Sequence, residues 1–117
     1  MLNPFELQAL EQAILQQHPE HMNPADLAVW IEQLSLEAQV RLIPTLEQAA
    51  LIFEFLPKTV QAQIAEQLDP ADLLQLMSAM HSDDRTDLCK GLSPTLQPWI
   101  LAELAPEKRQ QIQQLAA

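Results

Sequence analysis

From Leu56 onward, large apolar residues return at a fixed interval. Leu56, Leu68, Met80, Leu92 and Leu104 are twelve positions apart each time, and each is followed by a proline or a polar residue suited to starting a helix: Pro57, Asp69-Pro70, His81-Ser82, Ser93-Pro94 and Ala105-Pro106. Between these marks the apolar residues recur at three and four: Val60, Ile64 and Leu68; Leu73, Leu76, Met77 and Met80; Leu96, Ile100 and Leu104. That spacing is one face of an α-helix. Asp69 and Ser93 are sound N-caps, and Pro70 and Pro94 then stand at the first helical position, where a missing amide costs nothing. Each unit reads as about nine helical residues and a tight turn.

The first half follows the same grammar less strictly. Asn3-Pro4 opens a longer helix through Gln17, and "QHPEHMN" is the main loop. Asn23-Pro24 caps a helix carrying Leu27, Trp30, Ile31 and Leu34, and Ser35 starts a short helix ending near Ile43. Thr45 with Gln48 has the spacing of a capping box for a helix through Phe55. The pattern predicts an all-α chain of roughly nine short helices. A helix of nine residues is marginal alone, so each buries its stripe against neighbours and the series stacks as a superhelix. The handedness is not readable from this pattern. Burying one leucine contributes ~1.5–3 kcal/mol, which makes Leu68 and Leu92 costlier to lose than any surface charge.

Composition sharpens this picture. The 117 residues suit one domain, 1–117, with an N-terminal helix and loop over 1–20 and helical repeats over 21–117. Aromatics are 4%, so the core is aliphatic, and the single glycine, Gly91, argues against hairpins and sandwiches, whose tight turns need that residue. The net charge of -10 opposes binding to nucleic acid or anionic membrane and favours cations and basic partners. No apolar run approaches a membrane span, and "MLNPFELQAL" lacks the basic and apolar regions of a secretion signal. One cysteine, Cys89, excludes an internal disulfide and suits the cytoplasm.

The densest chemistry lies in "MHSDDRTDLC", residues 80–89. Ser82 is positioned to cap a helix whose first turn holds Asp83 and Asp84, where negative charge meets the helix dipole favourably by ~0.3–1 kcal/mol. Asp87 is not explained this way. It shares a face with Asp83 at i,i+4, where like charges cost ~0.2–0.5 kcal/mol, and the two project to solvent or towards a partner. Magnesium takes oxygen ligands, usually one or two carboxylates with several waters. Asp83 and Asp87, supported by Asp84, meet that requirement, so the stretch reads either as a plain helix start or as a weak magnesium contact.

Other residues carry less. Asp69 and Asn23 read as caps, and Asp72 and Asp26 as first-turn acids. His18 and His21 lie in a loop without the further ligands that zinc needs. Cys89 reads as a small core residue, without a partnered base to make it a nucleophile. Trp30 and Trp99 fall on apolar faces, and Lys108 and Arg109 on a solvated one that pairs with Glu107 or a neighbour. There is no glycine-rich phosphate loop, catalytic carboxylate pair or basic strip, so the chain does not read as an enzyme.

Together, "NPADLAVWIEQL", "LDPADLLQLMSAM", "SDDRTDLCKGL" and the leucine–proline punctuation resemble the intracellular N domain of MgtE magnesium transporters over about residues 20–117. In architecture that domain is similar to the helical repeats of the flagellar motor switch protein FliG. The resemblance implies an armadillo-like right-handed solenoid on the cytoplasmic side of a magnesium channel. It also implies Mg2+ at Asp83, Asp87 and Asp84, shared weakly with CBS domains of the same or a neighbouring chain so that the docked arrangement favours the closed channel. Where the family often has His before "PADLA", this chain has Asn23. Without a CBS pattern or membrane helices after Ala117, the chain reads as an excised regulatory domain or a stand-alone relative. The second case is a helical-repeat adaptor binding a protein on its concave face, with no transport role.

Overall fold

The computed structural model describes residues 23–116, together with Phe5, Gln8 and Gln12, which are helical. The rest of the expected helix from Asn3-Pro4 through Gln17 and the loop with His18 and His21 lie outside the described residues. Among the described residues there are eight α-helices, one 3-10 turn and no strands, as the all-α pattern requires. The chain divides into two compact units, Met1–Leu56 and Pro57–Ala117.

In the first unit, α1 spans Pro24–Glu32, α2 Leu36–Leu42, a 3-10 turn Ile43–Thr45 and α3 Ala49–Glu54. The Asn23 carboxamide oxygen accepts from the Ala25 amide at 2.9 Å, and the Ser35 hydroxyl accepts from the Ala38 amide at 3.2 Å. Both expected caps therefore satisfy first-turn donors that the helix cannot. The Thr45–Gln48 capping box is not made. Thr45 closes the 3-10 turn instead, its hydroxyl donating to the Leu42 carbonyl at 2.6 Å, and α3 begins at Ala49 behind a Gln48 with no side-chain cap. The competing local bond consumed the hydroxyl. Helix α1 packs on α3, and the 3-10 turn lies against α2 and α3, over a core that includes Leu27, Ile31, Leu42, Ile43 and Phe53. Buried Gln39 donates from Nε2 to the Ile31 carbonyl at 2.9 Å, tying α2 to the C-terminal end of α1.

The second unit contains α4 (Lys58–Gln67), α5 (Pro70–Ala79), α6 (Ser82–Gly91), α7 (Leu96–Glu103) and α8 (Pro106–Ala116). Helix α6 packs against α4, α7 and α8. The twelve-residue beat acquires a geometric meaning here. Leu68, Met80, Leu92 and Leu104 are the C-cap residues of α4 to α7, all with extended backbone (φ -66 to -76, ψ 150 to 156). Each amide still bonds back into its helix at 3.0–3.3 Å. Each side chain is buried, as is that of Leu56. The chain thus leaves each of α4 to α7 through an extended apolar residue driven into the core. A left-handed glycine exit is not used, which accounts for a helical chain with a single glycine.

Two starts differ from the sequence reading. Pro94 does not open α7: Ser93–Thr95 form a turn, with the amides of Leu96 and Gln97 donating to the Ser93 carbonyl at 3.1 and 2.9 Å and the Leu96 amide also donating to the Ser93 hydroxyl at 3.2 Å. Pro98 then falls in the first turn of α7, where its missing amide leaves no intrahelical bond unmade. At α5, Asp69 occupies the N-cap position and Pro70 the first helical one, but the Asp69 side chain makes no cap bond.

Candidate metal contact on the acidic helix

Helix α6 is polar in composition yet central to its unit, which is possible because its two sides differ. Arg85, Thr86, Leu88 and Cys89 are buried, whereas Asp83, Asp87 and Lys90 are exposed. Its N-cap is His81, not Ser82. His81 is extended (φ -65, ψ 151) and its carbonyl accepts from the Arg85 amide at 2.8 Å. Ser82 is the first helical residue, and its carbonyl accepts from the Thr86 hydroxyl at 2.8 Å. This satisfies a buried threonine through a one-turn back-bond.

Asp83 and Asp84 occupy the first turn, as expected from the dipole. Asp84 and Asp87 converge on one cation. The Lys58 ammonium lies 3.2 Å from Asp84 Oδ1 and 3.7 Å from Asp87 Oδ2, with the three side chains 53%, 33% and 55% exposed, respectively. Lys58 opens α4, whose first turn carries no acid. A positive charge at the positive end of a helix is unfavourable, and the two α6 carboxylates offset it. The expected partner of Asp87 was Asp83, one turn before it; the residue that shares a cation with Asp87 is Asp84. Asp83 stands exposed beside them as a third carboxylate.

This donor set fits magnesium. It is all oxygen, it supplies one or two carboxylates, and both Asp84 and Asp87 already reach a single positive centre, while their exposure leaves room for the waters this ion retains. Exposed ion pairs are worth about 0–1 kcal/mol, so the Lys58 ammonium does not lock the carboxylates.

The other candidates have structural work. Asp26 and Asp72 are first-turn acids of α1 and α5. Cys89 is fully buried, and burial pushes its thiol up against a smaller opposing effect of a hydrogen bond with the Gln97 side chain. That is the reverse of what a nucleophile needs. Trp30 is half-buried and Trp99 is 37% exposed. Lys108 does not sit on a merely solvated face. Its ammonium donates to the Ser78 carbonyl at 2.6 Å.

Arg85 is the residue that sequence reasoning passed over. Only 4% exposed, it donates from Nε to the Met77 carbonyl at 2.7 Å, from one terminal nitrogen to the Met80 carbonyl at 2.5 Å, and from the other to Gln111 Oε1 at 3.1 Å. With Lys108, it places two cations on the carbonyl end of α5, a helix with no basic residue in its own last turn. The signal was available: positions 85, 88, 89 and 92 form an i, i+3, i+4, i+7 stripe. An arginine on an otherwise apolar stripe points inward.

These features define an all-helical module of short, mutually supporting helices, in which no described helix is long and apolar enough to cross a membrane. The family model of the MgtE intracellular N domain matches residues 22–117, and the chain belongs to that family. No curated protein matches the chain. That family is the intracellular N domain of MgtE-type magnesium transporters, a family of transporter domains and not of enzymes.

Proposed function

We infer that this chain is a magnesium-sensing regulatory domain that acts by docking on CBS domains in the cytoplasm. The observation that carries the reading, beside family membership, is the convergence of Asp84 and Asp87 on one cation at an exposed edge of α6. In this scheme Asp84 and Asp87, with Asp83 beside them, furnish part of an ion's oxygen shell, and a partner CBS domain of the same or a neighbouring chain supplies more. The bound ion neutralises two acidic surfaces that otherwise repel, favouring the docked, closed state. At low magnesium, Lys58 holds the α6 carboxylates in place without bridging to a partner. A ligand shifts such an equilibrium only by its differential affinity for the two states, so a site half-built in the isolated domain binds weakly there.

The test is a magnesium titration of the chain followed by amide NMR at constant ionic strength. Amides of residues 82–88 and of Lys58 are expected to move and saturate on the order of tens of millimolar, as for open carboxylate sites. The paired substitutions Asp84→Asn and Asp87→Asn should abolish the movement without unfolding the chain. Immobility of these amides up to that concentration would dispose of the α6 contact.

A further inference from the structure

A second feature of the Pro57–Ala117 unit lies away from the acidic edge of α6. The end of α4, the start of α5 and the first turns of α7 line an open groove of about 440 Å³, formed by Glu66, Pro70, Ser93, Thr95, Leu96 and Trp99. Its walls are mostly hydrocarbon, and Trp99 keeps 37% of its surface exposed there. Leaving a tryptophan face partly in water forgoes burial of one of the largest apolar side chains.

The charged residues that line the groove or adjoin its lining on the same helices are acidic. Glu66 lines it, exposed Asp69 directly precedes Pro70, and exposed Glu103 stands one helical turn beyond Trp99 on α7. None of the lining residues is basic. Glu66 is fixed in position: its Oε2 accepts from the Ser93 amide at 2.8 Å, closing the turn that leads into α7. A carboxylate has about four lone-pair sites, so that single bond leaves accepting capacity towards the groove. An aromatic face beside an anchored carboxylate is the arrangement that recognises a planar cation, by stacking on the ring and by charge-assisted hydrogen bonding to the acid. Arginine satisfies both, and its hydrocarbon stem suits the Pro70 and Leu96 walls.

We propose that this groove binds an arginine presented by a basic peptide segment of a protein partner, with the guanidinium on Trp99 and Glu66. Charge complementarity selects this occupant over an acidic or purely apolar one.

The test uses the 117-residue chain and a capped Ala-Leu-Arg-Leu-Ala peptide, with the same peptide carrying citrulline in place of arginine as the neutral match. Addition of the arginine peptide should shift the Trp99 indole resonance and the Thr95 and Leu96 amides. The citrulline peptide should bind about fivefold or more weakly, the combined scale of one exposed ion pair and one cation–π contact. Glu66→Gln retains an oxygen to accept from the Ser93 amide and removes only the charge. Trp99→Leu retains bulk and removes the ring. Each should weaken the arginine peptide about threefold or more, read on the Thr95 and Leu96 amides. No shift at about 5 mM peptide, equal binding of the citrulline peptide, or full binding by both variants would each overturn the proposal. The citrulline comparison requires no change to the protein and is decisive even where a variant folds poorly.

Discussion

Residues 23–56 hold helices of 6–9 residues and residues 57–116 helices of 8–11, and their ends are secured differently. In the first region, α1 and α2 are started by the residue just before them, Asn23 and Ser35 accepting from amides two and three positions on. In the second, the N-cap positions of α4, α5 and α6 are Pro57, Asp69 and His81, and none makes a side-chain cap bond. There the bonds that secure helix ends come mainly from other helices, as the Gln39 bond to the Ile31 carbonyl does in the first region. Arg85 and Lys108 reach the carbonyl end of α5, and Glu66 holds the turn into α7. Local caps stabilise one helix at a time. Clamps from another helix make the ending of one helix depend on the presence of the next, so the second region should lose its parts together.

The largest expected effect tests that dependence. Arg85→Ala strands the Met77 and Met80 carbonyls in the interior and releases Gln111. Because a buried group deprived of a charged partner costs about 1–3 kcal/mol each time, the loss should be about 3 kcal/mol or more in urea unfolding. Arg85→Lys should recover only part of it, since one ammonium cannot reproduce a three-way fork. Cys89, buried on the same helix, offers a second readout. Its thiol is held above the usual value by burial and should react with iodoacetamide only through opening, so Arg85→Ala should speed labelling. A change of under about 1 kcal/mol, the scale of an exposed pair, would show that the clamps are incidental.

The same thiol predicts a pH effect. A raised folded value means the folded chain keeps its proton where the unfolded chain, titrating near about 8.5, releases it. Stability should therefore be complete below about pH 8.5 and decline as pH rises through the folded value. Cys89→Ala should remove that slope, at the cost of a small cavity. If the two chains show the same slope above pH 8.5, the thiol is not its source.

A smaller effect separates local caps from unused ones. Ser35→Ala should cost about 1 kcal/mol, the usual value of a cap bond. Asp69→Ala removes a residue at the corresponding position that caps nothing and should cost less than about 0.5 kcal/mol, the low end of a charge–dipole effect. Equal losses in thermal unfolding would erase the distinction between the two regions.

How far the sequence announced these features follows the same division. Asn23 and Ser35 were legible because a cap acts within three residues. The burial of Leu56, Leu68, Met80, Leu92 and Leu104 was legible because periodicity is a local property. The Thr45–Gln48 box was misread because a hydroxyl has several local acceptors, and Thr45 turned to Leu42; the Ser82 cap was placed one residue late, since His81 holds the N-cap position. Of the acidic cluster, the residues were visible but the pairing was not. That Asp84 and Asp87 share a cation depends on Lys58, 26 residues before Asp84, and no spacing rule connects them. Arg85 was hidden by composition, since an arginine between aspartates looks like a solvated charge until its place on the buried stripe is counted.

Gly91 gives the smallest effect and the sharpest test of how these helices end. It is the last residue of α6, exposed, and a Cβ placed on it would meet the Ala62 Cβ at 3.9 Å, an ordinary contact. The exit from α6 is made by Leu92 in extended conformation, so Gly91 is not asked for a left-handed turn. Its freedom then serves only to raise the entropy of the unfolded chain. Gly91→Ala should stabilise the chain by about 0.4–1 kcal/mol, seen as a higher urea midpoint with an unchanged slope. Destabilisation instead would mean that α6 ends through its glycine after all, and the buried apolar exit shared by α4 to α7 would lose one of its four examples.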